Sequence, residues 1–135
     1  MNIELSKKEL RYLLDLVYIG NWILNSARGL DRFEAYDILQ EKFFTLAAAA
    51  GMPELVQTYK GHIFPSRAYE DGGIHEAIAE YEDSVFFDIL AEELSRRDMI
   101  EQGSDPNDLT ELSLRMESYM SEFERSGLDS LRIDD

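Results

Sequence analysis

The residues of this chain best suited to chemistry are carboxylates. Between Arg67 and Arg96 there is no lysine or arginine, while nine aspartates and glutamates fall in that interval. Glu76, Glu80 and Asp83 stand at i, i+4 and i+7, so a continuous helix would put them on one face; Asp88 and Glu92 share a face in the same way. Hard oxygen ligands so placed suit Mg²⁺ or Mn²⁺, which makes Glu76, Glu80 and Asp83 the candidate metal ligands. The competing account is a solvated acidic helix face, which is the commoner origin of such a pattern. Imidazole chemistry rests on His62 and His75 alone, and cysteine is absent, so thiolate metal sites and cysteine nucleophiles are excluded. Neither histidine has a glutamate three residues before it, since Tyr59 and Gly72 occupy those positions, and the Glu-x-x-His pair of carboxylate-bridged metal bundles is therefore missing.

A second constellation mixes cations and aromatic rings. Tyr59, Lys60, His62, Phe64, Arg67 and Tyr69 lie within eleven positions. His62, Phe64, Arg67 and Tyr69 are the candidate binding residues, suited to an anion or a planar group if a loop presents them. The structural alternative has Phe64 and Tyr69 plugging the core while Arg67 stays in water. No glycine-rich phosphate loop and no Gly-x-Ser-x-Gly elbow occurs. No catalytic residue is assigned.

The elements that must position these residues read as helices. Ser6-Lys7-Lys8-Glu9 is a capping box, with Leu5 and Leu10 at the staple positions, and Leu10, Leu13, Leu14, Val17, Tyr18, Trp22 and Ile23 continue one apolar stripe toward Arg28. Gly29 is the expected stop and Gly20 a candidate kink. Asp31-Arg32-Phe33-Glu34 repeats the cap chemistry and opens a helix over 32–50, which should form an antiparallel hairpin with the first. Pro53 suits the first position of a short helix over 53–59, and the glycine- and proline-punctuated residues 60–73 then read as a loop. A long helix is expected over 74–98, with Asp83-Ser84 able to split it in two. Asp105 and Pro106 are expected to cap and open a last helix carrying Leu109, Leu112, Met116, Tyr119, Met120 and Phe123, ended by Gly127. The short tail Leu128–Ile133 could pair as a strand with Ile3–Leu5. The fold class is thus all-α: a single, antiparallel bundle-like domain of about five helices spanning 1–135.

Charge narrows the function. Residues 1–69 hold eight acids and eight bases, so the whole net charge of −15 belongs to 70–135. Such a surface repels phosphate and attracts cations, which argues against nucleic acid and anionic membranes as direct ligands. Without a signal-peptide-like start, and with Phe43–Ala50 as the most apolar run, the expected setting is cytoplasmic. The favoured function is a protein–protein interaction or regulatory module with a basic protein partner, a second copy of the chain being the other candidate. A divalent-metal-dependent hydrolase of nucleotides or small phosphates is the alternative, and an acidic mimic of nucleic acid the second. No cofactor is expected except Mg²⁺ under the hydrolase reading.

Overall fold

The computed structural model describes residues 1–134. Among the described residues the chain is mostly helical, with four helices longer than one turn and a two-stranded antiparallel sheet. Its contacts group the chain into two units, Met1–Ile78 and the residues from Ala79 onward.

In the first unit, helix α1 (Lys7–Asn25) begins where the capping box places it: the Ser6 amide donates to Glu9 Oε2 at 2.7 Å, and the Glu9 amide donates to Ser6 Oγ at 3.1 Å. Its buried face is Leu14, Tyr18, Asn21 and Asn25. The last two turns thus depart from the expected stripe, leaving Trp22 and Ile23 exposed while two asparagines turn inward. Hydrogen bonds explain the exchange. The fully buried Asn25 donates through Nδ2 to Asn21 Oδ1 (2.7 Å) and to the Phe33 carbonyl (3.1 Å), and its Oδ1 accepts from the Phe33 amide (2.8 Å).

That clamp also replaces the cap expected at Asp31. Helix α2 (Glu34–Ala49) starts behind Phe33, which has no side-chain cap, while Asp31 accepts from the Gly29 amide and pairs with Arg28. The end of α1 meets the start of α2 at Asn25 and Phe33, and Lys7 Nζ lies 3.5 Å from where a Cβ on Gly51 would sit, so the two helices are antiparallel. Ala47, fully buried, leaves room for that approach.

The segment after α2 corrects the sequence reading most. Of the helix expected over 53–59 only Pro53–Leu55 is helical, as one 3₁₀ turn, and the rest gives way to a hairpin of β1 (Val56–Tyr59) and β2 (His62–Pro65). Val56 pairs with Pro65, Gln57 with Phe64, Thr58 with Ile63 and Tyr59 with His62. Lys60 and Gly61, at φ 49° and 79°, form the two-residue turn whose twist matches paired strands. So the expected loop over 60–73 holds a strand. Beyond it, Ser66 Oγ accepts from the Tyr69 amide (3.1 Å), capping a single helical turn at Arg67–Tyr69. A wide turn over Glu70–Ile74, with Gly73 at φ 113°, feeds helix α3 (His75–Glu101). The core of this unit gathers Leu14, Tyr18, Phe44, Ala47, Met52, Tyr69, Ile74 and Ile78.

Helix α3 is unbroken and continues into the second unit, where it buries Ala91, Ser95 and Met99 at four-residue steps. Helix α4 (Leu109–Ser126) starts later than expected. Asp108, not Asp105, is its cap, accepting from the amides of Thr110 (3.1 Å) and Glu111 (3.3 Å), whereas Asp105 closes the preceding turn onto the Asn107 amide. Leu112 and Phe123 are buried on α4, and the Phe87 and Phe123 rings lie 5.2 Å apart. The Tyr119 hydroxyl donates to Asp98, and Arg96 donates to the Pro106 carbonyl. Neither Ile3–Leu5 nor Leu128–Ile133 is a strand, so the pairing of the termini does not form; among the described residues the hairpin is the sole sheet. Among them, too, no helix is long and apolar enough to cross a membrane.

Candidate functional site

The four candidate binding residues part company in the structure. Tyr69 is a core residue, 1% exposed: its hydroxyl donates to Asp15 Oδ1 at 2.8 Å, its ring meets Phe44 and Tyr18 edge-on, and the Arg11 guanidinium lies over it at 4.9 Å. Burial and the Asp15 carboxylate raise its phenol well above the ordinary range. Arg67 stands in solvent and pairs with Asp71 at 3.4 Å. His62 and Phe64 remain together on β2, their ring centres 6.5 Å apart, and both face a recess in the first unit.

That recess, about 760 Å³, runs between the end of α1, the start of α2 and the hairpin. Its apolar side is built from Tyr18, Trp22, Ile38, Ile63 and Phe64. Its polar side is an ordered network. Arg32 holds Asp37 with two hydrogen bonds, Nε to Oδ2 at 3.0 Å and Nη2 to Oδ1 at 2.8 Å, and Asn21 Nδ2 donates to Asp37 Oδ1 (3.0 Å) and Gln40 Oε1 (3.1 Å). The Arg32 bonds, helped by Asn21, pull the Asp37 carboxyl below its usual pKa and keep it ionised. Glu41 is held likewise: it accepts from the Ile63 amide at 2.9 Å, with His62 Nδ1 at 3.3 Å from its other oxygen, and both lower its pKa, the amide more. Glu41 therefore satisfies an amide on the outer edge of β2 and ties the hairpin to α2. The side chain of Glu34, also on the rim, makes no ion pair or hydrogen bond among the described residues.

Behind the aromatic side, the Tyr18 hydroxyl lies 2.7 Å from His75 Nε2, and the His75 ring stands edge-on to Trp22 at 4.9 Å. Burial, with the Glu70 charge adding to it, pushes the Tyr18 phenol up to about 12. Trp22, Arg32, Glu34, Asp37 and Glu41 were absent from the sequence-derived set. The signal that pointed to them was Asn21 and Asn25, two polar residues at helical spacing on the face that Leu14 and Tyr18 bury.

The candidate metal ligands Glu76, Glu80 and Asp83 are all exposed on α3, and among the described residues no group of three or more acids and histidines is arranged to hold a metal ion. The second unit instead presents an electrostatic surface. Of its five arginines, Arg96 pairs with Glu92 (3.0 Å), Arg97 with Asp98 (2.8 Å), Arg115 with Glu111 (2.8 Å) and Arg125 with Glu122, while Arg132 donates to backbone carbonyls. Glu80, Glu82, Asp83, Asp88 and Glu93 remain exposed without a cation. No protein-family model matches the chain, and no curated protein or solved structure is significantly similar to it.

Proposed function

We propose that the chain is a protein–protein interaction module whose acidic second unit engages a basic partner. One observation carries the reading: every arginine of that unit is already committed to a neighbouring carboxylate or carbonyl, so its excess of 17 acids over five bases has no internal answer. A surface of one sign steers an oppositely charged protein and rejects like-charged ones, which favours a cationic protein over nucleic acid or anionic lipid. Exposed pairs individually contribute little, so such binding depends on several acting together and weakens as salt screens them. Titration of a dodecapeptide rich in arginine and lysine into the intact chain tests this. Saturable binding that falls steeply between 50 and 200 mM salt is the expected result. Binding indifferent to salt, or none at low salt, would reject the reading.

A further inference from the structure

We infer that the recess of the first unit is an anchor pocket for an arginine side chain presented by the basic partner. The inference rests on the proposed function and adds where the partner's specificity is read. The lining carries Glu34, Asp37 and Glu41 against one arginine, Arg32, and that arginine is spent on Asp37. Glu41 is held by the Ile63 amide and His62. This leaves Glu34 as the carboxylate whose side chain has no bond of its own among the described residues, and it lines the same recess as the exposed Trp22 and Phe64. Planar guanidinium groups are weakly hydrated, stack on aromatic faces and take a carboxylate in a two-pronged hydrogen bond, whereas an ammonium is strongly hydrated and meets a carboxylate only as a point charge.

The chain already builds this arrangement elsewhere. Arg11 lies over the Tyr69 ring at 4.9 Å while its Nη1 donates to Asp15 at 2.7 Å, and Arg28 covers the Phe33 ring at 4.1 Å while pairing with Asp31. The recess brings together the other two members of that set, an aromatic wall and an uncommitted carboxylate, in a volume of about 760 Å³ that admits a guanidinium on its three-carbon stem. Its rim is also rigid. Asn25, Asn21, Asp37 and Arg32 are joined by hydrogen bonds of 2.7 to 3.3 Å, so little ordering accompanies binding.

Trp22 is the chain's single tryptophan and reports on the recess directly. The probes are the capped tripeptide Gly-Arg-Gly and its lysine- and glutamate-centred counterparts, titrated into the full chain at matched ionic strength while Trp22 emission and the indole N–H chemical shift are followed. A saturable change is expected with the arginine probe, a weaker one with lysine and none with glutamate. Glu34→Gln and Phe64→Ala, both exposed substitutions, should each weaken the arginine probe by about two- to five-fold with the melting temperature unchanged. No saturable change in the unmodified protein, equal binding of the glutamate probe, or folded variants that bind like the parent would overturn the pocket. If the tripeptide fails while the basic dodecapeptide still binds with its salt dependence, the pocket falls and the interaction module stands.

Discussion

Three side chains carry most of what is testable at the scale of single residues. Asn25 is fully buried and holds both the amide and the carbonyl of Phe33, so Asn25→Ala leaves the Phe33 amide and the Asn21 Oδ1 without this partner, while the Phe33 carbonyl keeps only the Tyr36 amide. A loss of roughly 2 kcal/mol is expected on denaturant melting, because an unsatisfied buried group costs more than its hydrogen bond contributes. Ser95 is the reverse case: its hydroxyl is buried on α3, has no hydrogen-bond partner among the described residues, and nothing in the structure explains it. Ser95→Ala should therefore leave stability unchanged or raise it by about 1 kcal/mol, and a clear loss in the same measurement would show that the hydroxyl is bonded. Tyr18 makes the pH prediction. Its phenol is held up to about 12 in the fold, against about 10 for an unfolded tyrosine, so its contribution is complete below pH 10 and is lost as pH rises through 12. Tyr18→Phe should flatten that part of the stability profile. At this scale the sequence was legible where a motif is local: Ser6 and Glu9 bond each other's backbone as their spacing implies. Asp31 and Asp105 have the same chemistry but serve turns, because Asn25 and Asp108 govern the helix starts instead.

Among the elements, α1, α3 and α4 were readable because apolar residues recur over many turns, whereas the hairpin was not. Val56–Tyr59 and His62–Pro65 are four residues each, and strands so short give too few alternations to outweigh Pro53, which does open a turn of helix but one that ends at Leu55. The decisive local signal was Lys60-Gly61, at φ 49° and 79°. Two glycines separate backbone requirement from mere presence. Gly61 has open space where a Cβ would go but a left-handed φ, so Gly61→Ala should destabilise by about 1 kcal/mol through the turn alone. Gly20 lies inside α1 with equally open space and no such φ, so Gly20→Ala should stabilise by about 1 kcal/mol. Thermal melting of the two variants checks both signs. Equal effects would mean that the turn does not need its glycine.

Charge is the property of the whole molecule that composition expressed most plainly, and it is also where sequence reading stopped short. The sequence located the acidic excess after Arg67; the structure adds which carboxylate each of Arg96, Arg97, Arg115 and Arg125 takes, in every case one within four residues along the chain. The recess was legible only in His62 and Phe64, because its other walls come from α1 and α2, more than twenty residues earlier in the chain. The proposed contact is between the basic partner and the exposed acids of α3, rather than net charge in general. It is tested most directly by comparing two variants of equal charge in the dodecapeptide titration at 50 mM salt: Glu80→Gln with Asp83→Asn, and Glu4→Gln with Glu54→Gln, all four positions being exposed. The first pair should weaken binding by roughly two- to thirty-fold, the range that two exposed ion pairs span, with little change for the second. Equal losses in both would contradict the claim and reduce the interaction to bulk charge.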